Sequence, residues 1–299
     1  MNSLMMMIKR NIKLFFRNKP NVFFSVLAIL ILLVLHFVVF RTMFADGWVE
    51  IFSAIPGFEV DRVDLEWMTD SLMFATLFPI GAITISLSSL GLMVSDRETG
   101  VFADFMTAPF DRNKLLASYL LSSIIISAII LLLFLGMFEI YFLLRFGISF
   151  TFAHVGQILL VIALSLLFAN VFMLFVVSFF KRQQSLGAVG TIIGTLVGFL
   201  CGAYIMVGMF GDTVRNIFGL LPFLQLTVLS RQAFLARIEE LTPLTNNMLT
   251  GELARDFGFE LWIGEKMISP GLTILMVIAT TCAILVLLSF TFSRLRDAE

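Results

Sequence analysis

Six long apolar runs dominate the chain, at residues 22–40, 71–94, 115–138, 155–180, 186–210 and 271–292. Each meets the roughly 20 residues needed to cross about 30 Å of hydrocarbon as a helix. Backbone groups in lipid find hydrogen-bond partners only in helices or closed barrels, and these runs lack the alternation of barrel strands. With 59% hydrophobic and 14% charged residues and a mean hydropathy of +1.01, the composition fits a membrane protein and not a soluble domain. The expected fold is all-α: a polytopic membrane protein with six transmembrane helices over residues 21–299, preceded by an interfacial segment over residues 1–20.

The net charge is only -1, yet the charges are unevenly placed. Lys9, Arg10, Lys13, Arg17 and Lys19 precede the first run, Arg97, Arg112 and Lys114 lie between runs two and three, and Lys181 and Arg182 follow run four. The connection after run one carries Asp46, Glu50, Glu59, Asp61, Asp64, Glu66 and Asp70, offset by Arg41 and Arg62. The positive-inside rule therefore predicts both termini in the cytoplasm. Run one is read as a retained span and not a cleaved leader, because Arg41-Thr42-Met43-Phe44-Ala45 makes a poor small-residue cleavage site. Cys201 and Cys282 both fall inside runs and read as apolar packing residues.

Residues Leu4–Phe16 place Leu4, Met5, Ile8, Ile12, Phe15 and Phe16 on one helical face and Lys9, Arg10, Lys13 and Arg17 on the other. A helix of this kind lies in the headgroup plane, and Asn18-Lys19-Pro20 turns the chain into the bilayer. Between runs two and three, Ser95 and Glu98 have capping-box spacing, which predicts a short helix starting at Asp96. Val101, Phe102, Phe105 and Met106 form its apolar face, Pro109 ends it, and Asp111 caps the next helix. The expectation is a helical hairpin with exposed aromatic residues, suited to docking.

Run five contains Gly190, Gly194, Gly198 and Gly202 at intervals of four, which predicts a seam for close helix packing. Pro79 beside Gly81 predicts a kink in run two. In the long segment between runs five and six, Pro222 and Phe223 through Arg231 read as a helix dipping into the outer leaflet. Gln157 and Asn170 are the notable polar residues of run four.

The chain has no G-x-x-x-x-G-K-[ST] phosphate loop, no H-E-x-x-H metal site and no G-x-S-x-G nucleophile. His36 and His154 read as packing residues without the carboxylate or cysteine company of a metal site, so no metal is expected. Ionisable groups inside spans cost about 2.5–3.5 kcal/mol each and usually mark ion routes. Here Glu139, with Arg145 as its expected partner, is nearly alone, which disfavours ion-coupled transport and ion channels. No feature suggests nucleic acid.

The basic amphipathic N-terminal helix, the six spans and the segment Arg97-Glu98-Thr99-Gly100-Val101-Phe102 with Pro109 and Arg112 resemble the ABC-2 type permease family of ATP-binding-cassette exporters. Leu221-Pro222-Phe223 through Arg231 resembles that family's proline-led outer helix. Asp96 stands for the family's acidic run and Thr107-Ala108 for its hydroxyl pair, a partial departure. The resemblance implies that Asp96, Arg97, Glu98, Thr99, Gly100, Val101, Phe102, Phe105, Met106, Pro109 and Arg112 couple the chain to a separate ATPase. It further implies two ATPase copies, a second permease subunit, identical or homologous, and residence in a prokaryotic cytoplasmic membrane. ATP and Mg would reside on the partner, with no cofactor on this chain. Spans two and five would line a cargo path, with Phe74, Phe78, Thr84, Ser88, Ile193 and Val197 as its candidate wall, suited to a drug, an antimicrobial peptide or a lipid. Alternatives are a polysaccharide or ion exporter of the same family, a lipid-modifying membrane enzyme built on His36, His154 and Glu139, and a non-transporting scaffold or immunity protein.

Overall fold

The computed structural model describes residues 3–53, 61–107, 112–241 and 252–297. Along the chain run α1 (Ser3–Arg17), α2 (Lys19–Leu35), a π-helical turn (His36–Phe40), α3 (Arg41–Ser53), α4 (Arg62–Glu98) and α5 (Val101–Thr107). There follow α6 (Arg112–Phe146), α7 (Phe152–Ser178), α8 (Gln183–Leu200), α9 (Asp212–Leu220), α10 (Pro222–Leu241), α11 (Glu252–Asp256) and α12 (Pro270–Asp297). Between α11 and α12 lies an antiparallel ribbon, β1 (Leu261–Ile263) and β2 (Lys266–Ile268), registered through Trp262 and Met267.

Six stretches among the described residues are long and apolar enough to cross a membrane: Lys19–Glu50, Arg62–Glu98, Asn113–Phe146, Phe152–Ser178, Gln183–Leu200 and Pro270–Phe290. The first three extend past both of their predicted limits. The 37-residue α4 spans about 55 Å, so its ends stand outside the hydrocarbon. The fifth is shorter than predicted and stops at Leu200. Gly202 there adopts φ +61, a conformation that suits glycine, and its carbonyl accepts from Arg231 Nη2 at 2.9 Å. Gly202 thus belongs to a turn and not to a helical ladder.

The helix α4 forms the centre, packing against α2, α3, α6, α7, α8 and α10. It is mostly buried, whereas α8 buries only Leu186, Val197 and Gly198 and leaves most of its surface open. One end of the bundle carries α1, α5 and Lys114, Lys181 and Arg182; the other carries Asp46, Asp61, Asp64 and Glu66. We call them the basic and acidic ends.

Pro79 sits inside the unbroken α4. A proline has no N–H, so the carbonyl four residues earlier, that of Ala75, loses its helical donor. Ser230 of α10 supplies the replacement, its Oγ donating to Ala75 O at 2.7 Å. The imperfection in one helix is therefore the attachment point of another. Pro222 begins α10 as predicted, and α9 and α10 meet at 86°. Much of α10 is buried, against α4, α7 and α12.

Candidate functional site: the basic corner and the groove beside the central helix

The segment predicted to form a capped hairpin is built differently. Helix α4 continues through Glu98, so there is no new helix start at Asp96 and no capping box. Ser95 instead offers its carbonyl to Thr99, both to its amide (3.0 Å) and to its Oγ1 (2.8 Å). The break falls at Gly100, with φ +82, whose carbonyl accepts from the amides of Ala103 and Asp104 and starts α5. Pro109 and the side chains of Met106 and Arg112 lie outside the described residues.

The three charged side chains at the end of α4 face neighbouring elements. Asp96, 5% exposed, takes a bidentate pair from Arg10 of α1, Nη1 to Oδ2 at 2.8 Å and Nη2 to Oδ1 at 2.9 Å. Tyr119 of α6 donates its hydroxyl to the same Oδ2 at 2.5 Å. The hydrogen bond to Asp96 raises the Arg10 guanidinium above its ordinary range, with partial burial working against it. Arg97 donates from Nη1 to the carbonyls of Ser178 (3.0 Å) and Phe180 (3.2 Å) where α7 ends. Those are orphan carbonyls of a helix C-terminus, where a cation is favoured. Glu98 Oε2 accepts from the Gln183 amide at 3.0 Å, an orphan donor in the first turn of α8. Gln183 Nε2 in turn donates to Gly91 O at 2.5 Å. Three consecutive residues thus clasp α1 and α6, then α7, then α8.

The aromatic side chains of α5 are not the exposed patch expected. Phe102 and Phe105 are half-buried: Arg97 lies 5.1 Å from the Phe102 ring centroid and Arg10 lies 5.3 Å from that of Phe105. Val101 is half-buried as well, whereas Ala103, Asp104 and Thr107 face outward. The partner helix α1 buries Ile8, Asn11 and Phe15 and leaves Lys9, Lys13 and Phe16 exposed, with Ile12 half-buried. Asn11 donates to Ser122 Oγ at 3.3 Å, fixing α1 along α6. The interfacial helix accordingly rests on protein along its buried face. Sequence pattern gave no sign of Tyr119 or Gln183 as members of this corner, because Tyr119 meets Asp96 across 23 residues and Gln183 meets Glu98 across 85.

Beside α4 lies a groove of about 730 Å³ between α2, α4 and α8. Phe24, Leu27, Ala28 and Ile31 form one wall, Thr84, Leu87 and Ser88 the floor, and Gly187, Gly190, Thr191, Gly194 and Thr195 the other wall. Tyr204 closes one end. Gly187 and Gly194 therefore belong to an open groove wall and not to an intrachain packing seam. A Cβ on Gly187 or Gly194 would meet nothing within 4 Å, while one on Gly190 would meet only Leu87. Gly198 instead accommodates the Tyr204 ring, which a Cβ would strike.

Of the candidate wall residues, Thr84 and Ser88 line this groove. Phe74 and Phe78 do not. Both are 1% exposed in an aromatic core, Phe74 stacked on Phe138 at 4.2 Å and Phe78 against Phe234 at 5.6 Å. Val197 is also 1% exposed and Ile193 half-buried against the core, so neither forms the groove wall. Large aromatic residues placed on the inner face of the central helix become core because packing there excludes lipid and water alike.

The acidic end holds a network that corrects two expectations. His36, fully buried, has a carboxylate after all: Nε2 lies 2.7 Å from Asp70 Oδ1. Arg41 Nε reaches the same oxygen at 3.2 Å, and Tyr141 donates to Oδ2 at 2.6 Å. Glu66 joins Arg41 (2.8 Å) and Arg145 (3.0 Å). Arg145 therefore pairs with Glu66, and Glu139 instead accepts from the Phe150 amide at 3.0 Å. His154 is buried in the first turn of α7, its Nδ1 at 2.5 Å from Thr151 Oγ1. In the middle of the bundle Ser89, Ser123 and Asn170 form a chain, Ser89 to Ser123 at 2.5 Å and Ser123 onward to Asn170 Oδ1.

Phe223 is 9% exposed between Phe168 and Phe172, and Arg231 is 6% exposed against α4. The proline-led helix is thus an integral part of the bundle.

These features define a polytopic helical membrane protein with a clasped basic corner and a groove along its central span. The family model described as ABC-2 type transporter matches residues 2–235. The chain belongs to that family and is a permease, that is, a transport subunit, of a kind that generally works with an ATPase partner. Comparisons with curated proteins and with solved structures gave no match.

Proposed function

We propose that this chain is the membrane half of an ATP-driven exporter, moving an amphipathic or apolar cargo outward through a path that two permease subunits share. Two ATPase subunits, carrying ATP and Mg, would dock at the basic end, which the distribution of Lys and Arg assigns to the cytoplasmic side, in the prokaryotic membrane that the family resemblance implies. The observation that carries the reading is the clasp. Asp96, Arg97 and Glu98 tie the end of α4 to α1, α6, α7 and α8, and α5 hangs from that same end with Ala103, Asp104 and Thr107 turned outward. A push on α5 moves the whole corner as one body, and with it the groove floor at Thr84, Leu87 and Ser88. The groove's size suits a small organic molecule, and its mix of Phe, Leu and Ile with Thr and Ser suits one with both polar and apolar parts.

A lipid-modifying enzyme has less support, since its candidate histidines are buried and His36 is held against Asp70. The test is reconstitution of this chain with a candidate partner ATPase of the same transporter class. Arg97→Ala should lower cargo-stimulated ATP turnover by about 5–150-fold, the usual range for loss of coupling between sites, with basal turnover retained. Failure of any ATPase to co-purify, or full stimulation in Arg97→Ala, defeats the proposal.

A further inference from the structure

Near the acidic end, a second cavity of about 50 Å³ lies between α3, α4, the Gly202 turn and the Phe257 loop. Its one charged lining residue among the described residues is Arg231, which is 6% exposed. Burying a guanidinium is costly unless charge and hydrogen bonds compensate it. Here the partners are neutral: Nε donates to Thr76 Oγ1 (3.1 Å), Nη1 to Phe257 O (2.8 Å) and Nη2 to Gly202 O (2.9 Å). Among the described residues no carboxylate pairs with Arg231 and none lines the cavity.

A guanidinium has five N–H donors, so the three bonds leave two donors and a full positive charge on a side chain that lines the void. Both lining threonines spend their hydroxyl protons on their own helix, Thr69 on Leu65 O (2.7 Å) and Thr76 on Leu72 O (2.8 Å). The site therefore offers positive charge and donors and needs a negative acceptor. Its volume is a few times the roughly 10–15 Å³ that a single water requires, and otherwise its walls are largely apolar, including Leu72, Met73 and Ala203. That combination favours a small, weakly hydrated anion over a phosphate ester or a lipid headgroup.

We propose that this cavity is a structural site for one monovalent inorganic anion of the halide class, which neutralises Arg231 and fixes α10 and the Gly202 turn against α4. The test uses the full-length chain purified in detergent, with chloride replaced by gluconate at constant ionic strength. Chloride and bromide should raise the melting temperature with the logarithm of their concentration, by about 2–4 °C for each tenfold increase above the dissociation constant. Bromide should give an anomalous peak beside the Arg231 guanidinium. Ala203→Leu, which fills the cavity while keeping Arg231, should abolish the halide dependence, and so should Arg231→Gln. Identical melting in gluconate and chloride, a halide effect that survives Ala203→Leu, or a bromide-soaked crystal with only water in the cavity would each overturn the assignment. The wild-type melting curve and the bromide peak decide the matter even if both variants fail to fold.

Discussion

Ser230 shows how a single hydroxyl can hold two helices together. Its Oγ satisfies the Ala75 carbonyl that Pro79 leaves without a donor. Ser230→Ala would strand a buried acceptor, at a cost of about 1–3 kcal/mol. Adding Pro79→Ala restores the helical N–H, so the double variant should recover most of that loss. Denaturation of the single and double variants in detergent checks this, and purely additive losses would show that the two sites do not communicate. Asp70 is the corresponding case among charges, since it meets His36, Arg41 and Tyr141 together. Asp70→Asn removes the charge that Arg41 faces, and a fall in unfolding free energy of about 3–5 kcal/mol is expected. The matching Tyr141→Phe variant loses one hydrogen bond to a charged group, about 1.5–3 kcal/mol.

At the scale of elements, the ends of helices carry the information that matters, and they were the least legible part of the sequence. Apolar runs located the six candidate spans, though not the early end of the fifth at Leu200, because lipid selects composition over some 20 consecutive residues. The amphipathic pattern likewise located α1, and Pro222 located the start of α10. What pattern did not reveal was where the charged residues of the second connection point. Ser95 and Glu98 mimic a capping box, yet Glu98 caps α8, 85 residues onward, because α4 continues instead of restarting. The same limit applies to His36 and Asp70, 34 residues apart and each unremarkable alone. Long-range polar pairs leave no local periodicity. The clasp between α1 and α4 can be measured directly. Arg10 is partly exposed, so Asp96→Ala should cost only about 1–2 kcal/mol. Amide exchange over residues 3–17 should then accelerate by about tenfold while that of α7 stays unchanged. Unaltered protection of α1 would mean that Ile8, Asn11 and Phe15 hold it without the ion pair.

At the scale of the whole molecule, the question is what the small residues of α8 are for. Their spacing would serve equally for packing within the chain or for keeping a surface open, and the two uses predict opposite results for one substitution. If Gly194 were a packing residue, Gly194→Leu would force two helices apart and destabilise the subunit. In the structure nothing lies within 4 Å of the position a Cβ would take, and the residue faces the groove beneath Thr84 and Ser88. The first carbon of a leucine side chain there meets nothing, and replacing a helical glycine usually gains up to about 1 kcal/mol. The expected outcome is therefore a subunit that melts at the wild-type temperature or slightly above while cargo transport falls, because the added side chain occupies space that the cargo, or a second permease subunit, would use. Gly190→Leu is the sharper control, since Leu87 stands 3.3 Å away and must shift. Parallel measurement of melting and of transport by the reconstituted complex separates the cases. Loss of folding in Gly194→Leu would return the glycines to the interior, and normal transport with normal folding would place the working path elsewhere in the molecule.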